Sequence, residues 1–416
     1  MTQALKLTPT TGSVQDDVVR FTETLRASGL GGIVRTPLIR ARSIETLTGC
    51  EVWVKLENLQ VTGSFKERGA YVRLSRLDEA ARRTGVVAAS AGNHAQGVAR
   101  HGAALGIETT IYMPVDTPTV KVNATRELGA RVELAGEDFD ACSAAAQDFC
   151  ETAGKTFIHP FDDPYVMAGQ GTLASEMLED QPELDVLVMP IGGGGLASGM
   201  ARAARRMRPQ IELVGVQAEL FPSTYNAFHA TKAPLGGVTL AEGIAVKSPG
   251  RATLPELKAL LNDVCLVSER DIERALNLYL TRVRVLSEGA GAAGLAAVLA
   301  YPDRFRGKRV GLVVTGGNVD TRLLSSVLLR DLARSSRLAR FRIELLDVPG
   351  QLSAVSDVIS RAGGNVTDVA YHKTFSDLPA KVTYIDISLE AQDSDHMNRV
   401  HADLRAAGFK AEYAAY

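Results

Sequence analysis

Cysteine is scarce in this chain. Cys50, Cys142, Cys150 and Cys265 are the only four among 416 residues, and none forms a CxxC pair. That spacing excludes a zinc knuckle and a disulfide framework, and it suits a reducing compartment. Long apolar runs are missing as well: none approaches the roughly 20 residues that span a bilayer, so no membrane association is expected. The opening "MTQALKLTPTTGSVQDD" lacks the charged-then-apolar layout of a secretory signal, and a cytoplasmic location is expected. Charge of one sign is not in excess: 46 Lys and Arg stand against 48 Asp and Glu, a net −2. With no basic block and no aromatic–basic interleaving, nucleic acid is not an expected partner. No repeat of solenoid period is present.

What remains is an ordinary globular composition, 45% hydrophobic and 23% charged. A chain of this length predicts two or three domains, each able to bury a core. Short apolar runs alternate with helical ones. "GVVAAS" precedes "AQGVARHGAALG", "TTIYMP" precedes "TVKVNATRELGA", and "ARVELAG" precedes "FDACSAAAQDFCETAG". "DVLVMP" leads through glycines into "LASGMARAARRM", and "IELVGVQ" and "RVGLVVTGG" are further strand-like runs. Apolar runs bounded by Gly and Pro, with helices between, read as buried parallel strands joined by βαβ crossovers. Residues up to about 330 are therefore expected to form an α/β domain with open twisted sheets.

The pattern changes near residue 335. "RDLARSSRLAR" is polar and basic and reads as a linker. "FRIELLD", "GQLSAVSDVISRAG", "NVTDVAYHK", "KVTYIDISLE", "DSDHMNRVHADLRAAG" and "KAEYAAY" then follow in the order βαββαβ, which is ferredoxin-like. One face of such a sheet is covered by its helices, and the other is left for a partner or another sheet.

Four loops at strand ends carry candidate chemistry, because open α/β sheets bind ligands there. "PIGGGGLASG" (190–199) can turn several backbone N–H groups to one point, and the helix expected from Leu196 adds its positive end. It lacks the lysine of a Walker A loop and the GxGxxG setting of a dinucleotide fold, so the phosphate of a smaller cofactor fits best. "ASAGNHAQG" (89–97) gathers Ser90, Gly92, Asn93 and His94 at a helix N-terminus, which suits a carboxylate; an N-cap with a turn explains it equally well. "VVTGGNVD" (313–320) places the Thr315 hydroxyl at a sheet's mouth, or is a structural turn. "TGSFKERGA" (62–70) sets Lys66 beside Phe65 ahead of a helix, and burial there would depress the amine's pKa. A reactive amine, a phosphate cup and polar groups for a ring together call for pyridoxal 5'-phosphate.

Taken together, these loops resemble the serine/threonine dehydratases, fold type II pyridoxal-phosphate enzymes. The motifs "KLENLQVTGSFKERGA", "VVAASAGNHAQGVA", "PIGGGGLASG", "LAEGIAVKSPG", "SEGAGAAGLAAVL" and "VVTGGNVD" stand in the family's order. The last 80 or so residues resemble an ACT domain, with "DVPGQLS" after its first strand. The resemblance implies the two-lobed, tryptophan synthase beta-like fold over residues 1–332, with a small lobe at about 57–160 inserted in the large one. A linker at 333–339 and an ACT-like domain at 340–416 would follow. It implies that Lys66 binds the cofactor's aldehyde and later moves the substrate's α-proton, and that Phe65 packs near the ring. It also implies that Asn93 bonds the 3-hydroxyl, that Gly192, Gly193, Gly194, Gly195 and the Leu196 amide hold the phosphate, and that Thr315 faces the pyridine nitrogen. The family usually has Ser or Cys at that last position.

By the same resemblance, Ser90, Ala91, Gly92, Asn93 and His94 form the loop that grips the substrate carboxylate. Related racemases carry a serine where this chain has Ala91, so dehydration is expected to dominate over racemisation. The family often reads EPxGA where this chain has Glu288–Gly289, a departure the sequence does not explain. Its cation site would need an acidic residue near Gln217, so no metal is expected. The implied activity converts L-threonine, and L-serine, to 2-oxobutanoate or pyruvate and ammonia. Hydroxyaspartate and phenylserine are rival substrates, and an amino-acid sensor without chemistry is the rival of another class. An amino-acid effector is expected at Asp347, Pro349, Gly350, Gln351 and Leu352, in a homodimer or homotetramer. Whether the role is isoleucine biosynthesis or catabolism stays open.

Overall fold

The computed structural model describes residues 32–372 and 379–414. The chain divides into two compact units, one ending at Val319 and the other beginning at Asp320.

The first unit holds two sheets. The larger runs, edge to edge, Leu38–Arg40, Glu51–Leu56, Arg309–Val314, Val186–Pro190, Glu212–Ala218 and Asp263–Val267. Only the Leu38–Arg40 edge strand is antiparallel. The smaller sheet is wholly parallel, in the order Arg131–Leu134, Thr109–Met113, Val86–Ala89 and Thr156–Phe157. Its strands lie in the chain between the second and the fourth strands of the larger sheet, so the small lobe is an insertion. Val86–Ala89 and Val186–Pro190 are buried at every position, which is why they read as unbroken apolar runs. The strands Leu38–Arg40, Glu51–Leu56, Thr156–Phe157 and Asp263–Val267 were not expected from the sequence.

Glycines set the spacing of the three helices that carry the site. Helix Pro164–Asp180 lies against both Lys66–Ser75 and Gly195–Met207. A β-carbon on Gly199 would stand 1.9 Å from the Met167 carbonyl, and one on Gly169 would stand 2.5 Å from the Arg68 carbonyl. The backbones approach this closely only because those side chains are absent.

A buried ionic network locks the same helices to the large sheet. Arg68 donates to both Glu57 oxygens, at 2.7 and 2.8 Å, and to both Glu176 oxygens, at 2.8 and 3.0 Å. Lys55 completes the set on Glu176 at 2.6 Å and on the Thr36 carbonyl at 2.6 Å. All four charged side chains have no exposed surface. Glu67, in the first turn of its helix, is buried too. It accepts from the Thr62 amide and pairs with Arg100 and His101.

The second unit begins with helix Thr321–Arg334. Strand Leu338–Leu346 follows, so only residues 335–337 of the basic stretch read as a linker lie between elements. Its four strands pair antiparallel in the order Asn365–His372, Val382–Glu390, Leu338–Leu346 and Lys410–Tyr413. Helices Gln351–Arg361 and Ser394–Ala406 complete the βαββαβ order. Phe341, Ile343, Ile385, Ile387 and Leu389 meet Val355, Ile359, Met397 and Val400 in one core. On strand Leu338–Leu346 the alternate residues Arg340 and Arg342 are exposed, as a sheet with one covered face requires. Arg342 forms two 2.8 Å bonds to Asp386, which His372 also reaches at 3.1 Å.

Candidate functional site

Two strand-end loops are zipped together around Lys66. Ser64 bridges Gly316, the Phe65 amide donates to the Thr315 carbonyl at 3.0 Å, and the Gly317 amide donates to the Gly63 carbonyl at 2.9 Å. This places Lys66, the first residue of its helix, beside Thr315, although some 250 residues separate them. Asn318, which sequence reasoning passed over, is the tie to the third loop. Its amide nitrogen lies 2.8 Å from the Thr62 carbonyl and 2.7 Å from Asn93 Oδ1.

Glu288 closes this ring of residues. Asn93 Nδ2 donates to its two oxygens at 3.1 and 2.9 Å, and the Thr315 hydroxyl donates to Oε1 at 3.3 Å. Burial pushes the Glu288 carboxyl up, against the lowering effect of the bonds from Asn93 and Thr315. Gly289 opens the next helix, and a β-carbon there would stand 2.1 Å from the Leu240 carbonyl. The departure at Gly289 thus has a physical cause: the loop at Leu240 lies where a proline ring would be.

The Lys66 amine donates to the Pro160 carbonyl at 2.8 Å and lies 5.3 Å from the Phe65 ring centre. Burial pushes it down to about 8, although the Glu288 charge opposes the change. An amine in that range is neutral often enough to act as a nucleophile or base. Pro160 and Phe161, in "HPFD", carried no signal in the sequence. Here Phe161 packs against the glycine loop: a β-carbon on Gly193 would come within 2.3 Å of its ring. Phe65 packs on the large-lobe core.

The glycine loop is pinned from behind. The Gly193 carbonyl accepts from the Gly250 amide at 3.1 Å and from the Thr253 hydroxyl at 2.6 Å. Gly194 has φ +98°, a conformation that only glycine adopts without strain. Helix Gly195–Met207 starts one residue before the expected Leu196, and no side chain caps it. The first amides of an uncapped helix are free donors beside a positive dipole end, which is the requirement for a phosphate. The glycine loop at an uncapped helix and the lowered amine both fit pyridoxal phosphate.

The loop at Ser90 is half-exposed from Ser90 to Asn93, and Gly92 precedes a helix that no side chain caps. The His94 ring is buried, with Nε2 2.9 Å from the Ile158 carbonyl and Nδ1 without a hydrogen-bond partner among the described residues. Burial first and the Lys66 charge second push this histidine down to about 3, which keeps it neutral. Gln217, where a cation ligand was sought, is occupied by the Ile191 carbonyl, Ser223 and the Tyr225 amide. In the second unit, Gly350 has φ +90° and leads into helix Gln351–Arg361; the Asp347 amide bonds the Lys381 carbonyl.

Residues 30–316 match the family described as pyridoxal-phosphate dependent enzyme. The chain belongs to that family. Residues 334–407 match the ACT domain. The chain is 41% identical over 378 residues to the L-threonine ammonia-lyase of Thermotoga maritima, covering 90% of this chain and 94% of that protein. It is 40% identical over 319 residues to the L-threo-3-hydroxyaspartate ammonia-lyase of a Pseudomonas species, covering 75% and 97%. The structure of the processed form of threonine deaminase isoform 2 from Solanum lycopersicum superposes with a TM-score of 0.70 at 31% identity, covering 78% of this chain and 91% of that one. The family depends on pyridoxal phosphate, and the two-lobed α/β fold is its fold. Among the described residues no helix is long and apolar enough to cross a membrane.

Proposed function

We propose that this enzyme deaminates L-threonine, and L-serine, to 2-oxobutanoate or pyruvate and ammonia, by way of a dehydration. The observation that carries this reading is the convergence of the Lys66 amine, Asn93 and Thr315, through Asn318 and Glu288, beside a glycine loop on an uncapped helix. L-threonine ammonia-lyases are among the relatives that match 90% of the chain.

When bound, pyridoxal phosphate supplies the electron sink for bond breaking at the substrate's α-carbon. In this reading Lys66 Nζ holds the cofactor and then takes the α-proton; its amine, lowered to about 8, has the basicity for both tasks. Gly192 to Gly195 and the Leu196 amide hold the phosphate, Asn93 the 3-hydroxyl and Thr315 the ring nitrogen. Phe65 packs near the cofactor's ring. The backbone from Ser90 to His94 receives the substrate carboxylate at a helix N-terminus. Ala91 offers no acid or base on the face opposite Lys66, so elimination outruns racemisation. The water lost in elimination is regained in hydrolysis, so threonine yields 2-oxobutanoate and ammonia in balance.

The match over 90% of the chain to an L-threonine ammonia-lyase supports threonine over hydroxyaspartate, whose ammonia-lyase matches 75%. Incubating the holoenzyme with L-threonine, L-serine, L-threo-3-hydroxyaspartate and phenylserine, with 2-oxo acid assayed, tests this. Preference for threonine supports the reading, and preference for hydroxyaspartate replaces it. Repeating the panel with isoleucine and valine tests control through an effector at Asp347, Pro349, Gly350, Gln351 and Leu352; flat kinetics reject it. Cytoplasmic location and a homodimer or homotetramer belong to the same proposal.

A further inference from the structure

Glu288 joins the two residues to which the reading above gives the two ends of one ring. Its partners at hydrogen-bond distance are an amide and a hydroxyl rather than a cation: Asn93 Nδ2 at 3.1 and 2.9 Å, and Thr315 Oγ1 at 3.3 Å. It stands at the N-cap of helix Gly289–Ala300, yet its side chain caps no amide there and is directed to the site instead. Gly316 and Gly243 line it closely: β-carbons there would stand 2.8 and 3.7 Å from Oε1. The charged groups that face it are Lys66, which favours the carboxylate, and Glu242, which disfavours it.

A carboxyl so placed has two hydrogen-bonding states. Ionised, it accepts the Thr315 hydrogen, and that hydroxyl then offers only lone pairs to whatever lies on its other side. Protonated, it donates to Thr315 Oγ1 and leaves the hydroxyl hydrogen free to turn elsewhere. Asn93 can donate to the carboxyl in either state.

We propose that Glu288 is a positioning residue that sets the direction of the Thr315 hydroxyl hydrogen, and so decides whether a ring nitrogen seated against Thr315 receives a hydrogen bond. This rests on the reading that places Thr315 at that nitrogen. The consequence is an adjustable electron sink. A nitrogen without a donor withdraws electrons weakly and favours prompt loss of the β-hydroxyl; a bonded nitrogen stabilises the carbanion longer.

The test is the nitrogen resonance of holoenzyme loaded with pyridoxal phosphate isotope-labelled at the ring nitrogen, followed from mildly acidic to mildly alkaline pH. Wild type is expected to shift with pH toward the hydrogen-bonded position as pH falls. Glu288→Gln presents an N–H to Thr315 at every pH, so its resonance is expected to be flat and on the hydrogen-bonded side. It should keep cofactor affinity within about threefold, because its carbonyl still accepts from Asn93. Thr315→Val is expected to be flat on the unbonded side. A wild-type resonance that does not move with pH overturns the proposal without any variant. A Glu288→Gln resonance that titrates like wild type overturns the role of Glu288 while leaving Thr315 in place. A Thr315→Val resonance that matches wild type at all pH values overturns both the proposal and the placement of Thr315.

Discussion

Arg68 is the residue whose loss the structure prices most clearly. Two cations, Lys55 and Arg68, face two anions, Glu57 and Glu176, with no exposed surface on any of them. Arg68→Met removes the bonds to Glu57 and Glu176 together. Among the described residues Glu57 then keeps the Thr36 hydroxyl and Gln60 as partners, and the four-residue set carries one uncompensated negative charge. Breaking one partner out of a buried ion set costs about 3–5 kcal/mol. At about 2 °C per kcal/mol for a unit of this size, the melting temperature should fall by roughly 6–10 °C.

The network also has a pH signature. Burial alone would raise Glu176, but Arg68 and Lys55 pull it from 4.5 down to about 2. A carboxylate with a lowered folded pKa adds stability that is full above about 4.5 and is lost as pH falls toward about 2. Thermal melts of wild type and Arg68→Met at neutral and acidic pH should therefore converge as pH falls through that window. Adding Glu176→Gln to Arg68→Met leaves Lys55 and Glu57 as the charges and should recover part of the loss. A drop under about 2 °C at neutral pH, or no recovery in the double variant, would refute this account of the network.

Three further outcomes follow from the site. The rate at which apoenzyme takes up pyridoxal phosphate should rise about tenfold per pH unit and level off near the Lys66 value of about 8, because only the neutral amine reacts; stopped-flow absorbance would show this, and a flat profile would contradict the lowered amine. Gly193→Ala puts a carbon within 2.3 Å of the Phe161 ring, and overpacking of about 1–3 kcal/mol should weaken cofactor binding roughly tenfold to a hundredfold in a titration. Gly289→Ala meets the Leu240 carbonyl at 2.1 Å, a backbone atom that cannot swing aside; a melting temperature lower by about 2–6 °C is expected, and an unchanged one would reject the packing argument.

The features that were legible in the sequence are those written locally. A parallel strand buried on both faces is an unbroken apolar run, so Val86–Ala89 and Val186–Pro190 announce themselves. Glycine clusters at strand ends mark where backbone meets ligand, and the alternation in the second unit marks a sheet with one covered face. The ionic network was invisible because its partners lie far apart in the chain: Arg68 meets Glu176 across 108 positions. Nothing near Glu67 in the sequence points to Arg100 or His101. Gly289 stayed unexplained in the sequence because the atom it meets, the Leu240 carbonyl, lies nearly fifty residues earlier. The contact of the His94 ring with the Ile158 carbonyl, 64 positions along the chain, was likewise out of the sequence's reach. The basic stretch read as a linker holds the end of a helix and the start of a strand, because Leu332, Ala333 and Leu338 fall at its edges.

The central claim is that Lys66 is the amine that holds the cofactor. Borohydride reduction of the holoenzyme, followed by digestion and mass mapping of the cofactor adduct, tests it most directly. The account predicts the adduct on the peptide containing Ser64–Phe65–Lys66, and its loss from that position in Lys66→Ala. An adduct on any other lysine, or one that survives in Lys66→Ala, would contradict it.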